Sequence, residues 1–369
     1  MINNSNAFKT RKTVPVDKVY LYRAQKNNWS YCHHAFICFF KGRFYAMWSN
    51  GRVHEDDCGQ RVLISSSHNA KVWSPQVPLY DSLQGDLNEV VLTAGGFYIG
   101  KEQLIAYAGC YEYAPENVTE NHYIEINKLH KRTRLLAKTS FDGIRWSKAV
   151  EIGLPIVPNH GPQRLNSGRL MITGGFMFPY SDESDGISGW KIGGIYPKDW
   201  KDVYDDSEGV NIFQQRRGGG VFLCEGAFYQ TDDDVIHMLL RSDKSNLWAT
   251  ESRDNGETWC QPYETCFSNC NSKLHAGRLP DGRFYVVSNP DPDSERCPLT
   301  LCTSEDGENF DREYIIASDR TQKRISGLHK NGIYGYPHSL IHNDCLYVIC
   351  SIHKEDIAVY SCSLSNLKS

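Results

Sequence analysis

The sequence predicts an all-β fold of β-propeller type, with four-stranded blades repeated around a central channel, six by repeat count and a seventh left open within an insertion. Three observations carry this reading. Short apolar strands alternate with glycine-containing turns along nearly the whole 369-residue chain, and helical periodicity is almost absent. One compact turn recurs as Ser140-Phe141-Asp142-Gly143-Ile144-Arg145-Trp146, Ser252-Arg253-Asp254-Asn255-Gly256-Glu257-Thr258-Trp259 and Ser304-Glu305-Asp306-Gly307-Glu308-Asn309-Phe310. A worn copy, Ser67-His68-Asn69-Ala70-Lys71-Val72-Trp73, has Asn for Asp and lacks the glycine. Finally, the segments that open successive units start at 34, 88, 160, 225, 273 and 336, and each interval is long enough for four strands and their turns. Radial repetition of four-stranded sheets leaves only short edges exposed, which is why such a repeat closes into a propeller.

The turn has a physical logic. Its Asp carboxylate accepts backbone N–H groups across the bend, its glycine takes the positive-φ position, and its aromatic residue packs beneath.

Taken in order, residues 1–17 read as a loose polar arm and residues 18–369 as one repetitive domain. Val19-Tyr20-Leu21-Tyr22 is a strand signal ahead of the first unit. The first unit pairs Ala35–Phe40 with Phe44–Trp48 across Lys41-Gly42-Arg43, and Arg61–Ile64 leads into the worn turn. The second runs from Asn88 to Glu151 with a polar insertion between Ala114 and His130. The third opens at His160, bends at Ser167-Gly168-Arg169 and shows no copy of the Asp turn. The fourth opens at Glu225, the fifth near Lys273 with a bend at Pro280-Asp281-Gly282-Arg283, and the sixth at Tyr336. That last unit supplies three strands, so Val19–Tyr22 is expected to complete it and join the two ends of the chain. Tyr107, Tyr111 and Tyr113 alternate and therefore share one strand face, with packing as their first reading. Gly218-Gly219-Gly220 is followed by no helix pattern and reads as a loop between units.

The totals narrow the function. A net charge of -4, from 40 Lys+Arg against 44 Asp+Glu, gives no basic field, so a nucleic-acid partner is not expected. No apolar run reaches the length of a membrane span, so no membrane partner is expected either. The polar segment from Met1 to Lys12 has no apolar signal core, and several of the 13 cysteines (Cys38, Cys224, Cys345, Cys350) sit in strand-like runs. Both features read as a cytoplasmic protein with reduced thiols.

The first strand of each blade begins at the channel, so the residues opening each unit converge there. These openings are polar: His33-His34, Asn88-Glu89, His160 with Gln163 and Arg164, Glu225, Lys273 with His275 and Arg278, and Tyr336 with His338. Arg241, in Leu239-Leu240-Arg241-Ser242, belongs with them, and His54 lies in the polar loop twenty residues after His34. Convergent titratable groups in a concave place are the default active-site reading.

The recurring turns resemble the Asp-box of sialidase-type propellers, and the likeness extends over nearly the whole chain. It implies a carbohydrate-active enzyme in which Glu225, Arg241 and Tyr336 match the glutamate, one arginine and the nucleophilic tyrosine of sialidases. The Arg-Ile-Pro-type motif is missing, with Leu21-Tyr22-Arg23-Ala24-Gln25 in its place, and Asp56 and Asp57 lie at a suitable depth for an acid without a recognisable motif. A second set of segments is His33-His34-Ala35-Phe36, the run Trp48 to Arg61 and Gly335-Tyr336-Pro337-His338. These resemble L-rhamnose-α-1,4-D-glucuronate lyases and the related exo-α-L-rhamnosidases. That resemblance implies an exo-acting lyase with His34, His54 and Tyr336 as catalytic groups. His160, Gln163, Arg164, Glu225, Arg241, Lys273, His275, Arg278 and His338 would then bind the substrate, a glycan terminus carrying a uronate. Elimination beside a uronate needs its carboxylate neutralised, which arginine does bidentately, and then a neutral histidine to take the C5 proton. No cofactor or catalytic metal is required, although the channel has room for a structural cation.

Overall fold

The computed structural model describes residues 2–4, 8–118, 130–195 and 221–368. The Gly218-Gly219-Gly220 loop and positions 119–129 of the polar insertion lie outside these. Among the described residues the chain is all-β, with helical geometry confined to two single turns, Pro115–Asn117 and Leu364–Leu367.

The strands form six separate sheets of three to five strands. Their first strands are Tyr31–Phe40, Val91–Ile99, His160–Arg164, Leu223–Gln230, His275–Arg278 and Tyr334–His342, each starting within three residues of the opening read from the sequence. The third sheet shows three strands rather than four. The sixth is completed as expected: Asp17–Arg23 lies antiparallel to Asp356–Ser363, with Val19 opposite Val359. The segment read as a loose arm instead contributes an outer strand. Thr10–Thr13 pairs in parallel with Arg312–Ala317, and Ile2 is buried.

Continuous apolar runs along the middle strands let both sheet faces be covered by neighbours. The buried clusters accordingly alternate from one sheet to the next: Phe36, Met47 and Ile64 meet Val90, Leu92 and Ala106, while Ile105, Tyr107 and Leu135 meet Leu170 and Ile172.

The Asp turns have the predicted internal bonds. Asp142 Oδ1 accepts the N–H groups of Ile144 (2.9 Å) and Arg145 (2.8 Å), and Asp306 does the same for Glu308 and Asn309 (both 2.8 Å). In the worn copy Asn69 Oδ1 keeps both bonds, and Ala70 holds φ at 56° where the others have glycine. The third unit does contain such a turn, contrary to the sequence reading. Asp185 Oδ1 accepts from the backbone of Ile187 (2.7 Å) and Ser188 (2.9 Å), and Ser181 Oγ donates to Ser188 O (2.7 Å). Two extra residues between Ser181 and Asp185 hide it from a fixed-spacing pattern.

These turns also connect neighbouring sheets. The hydroxyls of Tyr45, Tyr107 and Tyr229 donate to the carbonyls of Asp142, Gly186 and Gly307 in the turn of the following sheet. Trp259 meets Phe178 edge-on at 4.8 Å in the same manner. Arg169, in the bend of the third unit, has a side chain only 10% exposed and spans Asp182 and Glu257.

One irregularity recurs at the first strands. Pairing slips between His33 and Phe36, Ala94 and Phe97, Cys224 and Ala227, and Gly335 and His338. Each slip contains a residue with positive φ: His34 at 51°, Gly96 at 97°, Glu225 at 52° and Tyr336 at 53°. A left-handed conformation costs a non-glycine residue roughly 1–2 kcal/mol. Bulges of this kind re-aim a side chain out of the pleat, and they cluster at functional sites.

Candidate active site

The three non-glycine bulge residues meet at one cavity of about 230 Å³. All six units contribute to its wall, four through strand residues (His34, Thr93, Glu225, Tyr336) and two through residues just before their strands (Asn159, Lys273). Drug-sized pockets run to roughly 300–1,000 Å³, so this space suits one sugar ring rather than an extended chain.

Arg241 organises its floor. Its Nη1 donates to Glu225 Oε2 (2.6 Å) and to the Tyr336 hydroxyl oxygen (2.5 Å), and its Nε donates to Asn271 Oδ1 (2.5 Å). Burial opposes ionisation of Glu225, but Arg241 outweighs it and holds the carboxyl below its ordinary range. Burial also pushes the Tyr336 hydroxyl well above its ordinary value, so it stays protonated at neutral pH.

Positive charge surrounds this trio. Lys273 is 1% exposed, donates from Nζ to Asn159 O (2.9 Å) and lies 5.3 Å from the Tyr336 ring. Burial pushes its ammonium down to about 7, with Glu225 acting the other way. Arg296 lies 5.1 Å from the Tyr336 ring, and its buried Nη1 has no hydrogen-bond partner. Lys354 donates to Glu55 Oε2 (2.6 Å) and is lowered to about 8 by burial. Two glutamates therefore face two arginines and two lysines, a field that favours an anionic ligand.

The His34 ring stands 5.3 Å from that of Tyr336, with Nδ1 3.2 Å from Ser49 Oγ. Burial first, then Lys273, Lys354 and Arg296, drive its pKa well below the ordinary value, leaving a neutral imidazole able to accept a proton. Asp56 lies beyond the lining. It bonds to Tyr111, which stacks on the lining residue His130 at 3.8 Å. Enclosure by protein, then Glu55, raises the Asp56 carboxyl to about 7.

Of the residues expected from sequence, the structure brings His34, Glu225, Arg241, Lys273 and Tyr336 to the cavity. Four others lie away from it. His54 is a loop tie whose Nδ1 accepts the Leu328 N–H (2.9 Å). Arg164 sits at the far end of its short strand, bonded to Gly168 O (2.7 Å) and the Tyr98 hydroxyl. Arg278 is at the outer end of its strand, paired with Asp232 at 2.5 and 2.9 Å. Gln163 follows the pairing slip in its strand, opposite Met171, and stays out of the lining. His160, His275 and His338 gather in a separate inner cluster, outside the lining. Sequence reasoning missed Arg296, Lys354, Glu55 and His130, which come from loops and strand ends without a repeating pattern.

With this geometry in place, a family model described as a BNR repeat-like domain matches residues 42–349. The chain belongs to the BNR repeat-like domain family. No curated protein sequence matches this family member at a significant level. Its backbone is similar to that of a solved sialidase, with a TM-score of 0.65 and 17% identity over 95% of the chain. It spans about a third (33%) of that sialidase's own length. The Trypanosoma rangeli sialidase in complex with sialic acid matches at TM-score 0.65 and 12% identity, over 97% of this chain and 60% of its own. A Dyadobacter fermentans protein of unknown function matches nearly end to end, 94% of this chain and 98% of its own, with TM-score 0.66 and 14% identity. At such identities the likeness establishes the sialidase-like fold alone.

Proposed function

We propose that this BNR-repeat chain is an exo-acting glycosidase for a sugar terminus bearing a carboxylate, with its six sheets arranged as the blades of a single propeller domain. The carrying observation is the shared Arg241 Nη1, which binds Glu225 and Tyr336 together on the cavity wall. In this reading Tyr336 attacks the anomeric carbon while Glu225, ionised in the resting site, takes the phenolic proton and becomes neutral in that step. A tyrosine nucleophile stands in for the usual second carboxylate. Arg241, the unpartnered Nη1 of Arg296 and Lys273 receive the substrate carboxylate. Asp56 supplies the proton to the leaving oxygen, for which a carboxyl titrating near neutrality is suited.

The pH profile follows from that assignment. Asp56 must be protonated, so kcat/KM is expected to fall as pH rises through about 7. Glu55, Asp57, Tyr31, Tyr111, Tyr113 and Lys354 are the titratable groups felt by it or packed around it. Asp56→Asn is expected to remove the alkaline limb along with most turnover. An unchanged profile would assign the acid elsewhere.

A second reading is elimination, the L-rhamnose-α-1,4-D-glucuronate lyase chemistry. It is favoured by the neutral His34 beside Tyr336, but it has lost His54 as its second histidine. Incubation with aryl sialosides and with a rhamnosyl-glucuronate oligosaccharide separates the two. Free sugar without ultraviolet absorbance from an unsaturated uronate is the expected result. That absorbance would replace hydrolysis by elimination, and no product from either substrate would overturn the enzymatic reading.

A further inference from the structure

We propose that His160, His275 and His338 form a binding site for a first-row transition-metal dication, best matched to zinc, joining the first strands of the third, fifth and sixth sheets. Each histidine follows a cavity residue by one or two positions: Asn159, Lys273 and Tyr336. Their nitrogen donors all lie within 4.8 Å of one another, and their ring centroids are 4.3 Å (His275–His338), 4.9 Å (His160–His275) and 5.9 Å (His160–His338) apart.

The hydrogen bonds of His160 present a free ligand atom. His160 Nε2 donates to Leu274 O (2.8 Å), which leaves a lone pair on Nδ1, and that atom is buried without a partner. A backbone carbonyl on the far nitrogen is the usual device that orients a metal-binding imidazole. His275 Nδ1 lies 2.7 Å from Ser339 Oγ and 3.2 Å from the Ser339 backbone N, and His338 Nδ1 lies 3.5 Å from the Ile37 N; ligation through Nε2 requires both rings to carry the proton on Nδ1, which on His275 the Ser339 hydroxyl can accept. A zinc–nitrogen distance of about 2.0–2.1 Å requires donors roughly 3.3 Å apart in a tetrahedral shell, so the three rings must draw closer together on binding. Three neutral imidazoles without a carboxylate select zinc, copper, nickel or cobalt over calcium and magnesium. His338 is the partly exposed member and marks the open fourth position. Lys273 is the charged group these three rings feel, so it is a neighbour that opposes the dication. None of this depends on the glycosidase reading, because the readout is metal.

The test uses the full chain, stripped with a chelator and titrated with zinc chloride in a calorimeter and with cobalt(II) in a visible spectrometer. One equivalent is expected, with tetrahedral cobalt bands that zinc displaces. His275→Gln/His338→Gln, checked for fold by circular dichroism, is expected to weaken zinc binding by on the order of 100-fold or more. The single His338→Gln variant, at the partly exposed position, serves if the double variant fails to fold. Cys260→Ser/Cys266→Ser removes the two exposed thiols and is expected to retain the equivalent. The proposal is overturned if the wild type binds no stoichiometric metal, if binding survives the histidine changes, or if it vanishes with the thiols.

Discussion

Tyr336→Phe is expected to lower kcat by roughly 10³-fold while the protein keeps its fold. The change removes one oxygen, and Arg241 Nη1 retains its bond to Glu225, so about 1 kcal/mol of stability is at stake. The ring also keeps its neighbours, His33 at 4.1 Å and His34 at 5.3 Å. The loss should therefore fall on the chemical step and show as a drop in kcat with little change in KM. Steady-state kinetics beside a thermal melt make the measurement. A variant within tenfold of the wild-type kcat would exclude Tyr336 as nucleophile. Mass spectrometry of quenched wild-type reactions should show a sugar adduct on Tyr336, which an elimination mechanism would not form.

Arg241→Met is expected to be the most damaging substitution near the site, costing about 3–5 kcal/mol of folding stability and abolishing turnover. The cause is Glu225. Its side chain is 15% exposed, and Arg241 is what offsets the burial of its charge. In the wild type the folded pKa lies below the unfolded value, so the stabilisation is present above the unfolded pKa and is lost as pH falls through the folded one. Without Arg241, burial dominates and the folded pKa rises above the unfolded value. Stability of the variant should then decrease as pH rises, the opposite slope. Urea unfolding at about pH 5 and about pH 8 reads this sign directly. Glu225→Gln in the Arg241→Met background should restore much of the loss. If it does not, the damage comes from packing rather than from the stranded carboxylate.

Much of this architecture was legible because a repeat exposes itself. Asp142, Asp254 and Asp306 gave the register, and the register located Glu225, Lys273 and Tyr336 within a few residues of where their strands begin. The limits have physical reasons. Strand openings converge but strand ends do not, so Arg164 and Arg278 were carried by the right strands to the wrong ends. His54 looked like a base, but its lone pair is used by the Leu328 N–H, a loop contact between positions far apart in sequence. Arg296 reaches Tyr336 and Lys354 reaches Glu55 from irregular segments with positive φ, 60° and 55°, which no hydrophobic periodicity marks. The positive φ of Glu225 and Tyr336 was equally hidden, since neither is a residue type enriched in the left-handed region.

The pairing of Asp17–Arg23 with Asp356–Ser363 sets the order of events at the ribosome. The upstream strand is synthesised early, yet its partner leaves the exit tunnel only after every other sheet has been made. Until then an open hydrogen-bonding edge persists, a hazard for intermolecular pairing that long-range strand contacts prolong. His34 and Tyr336 stand on strands far apart in sequence, Tyr31–Phe40 and Tyr334–His342, so the cavity wall also waits for the later of the two. Nearly all of the sheets can therefore form before His34 and Tyr336 face each other across the cavity.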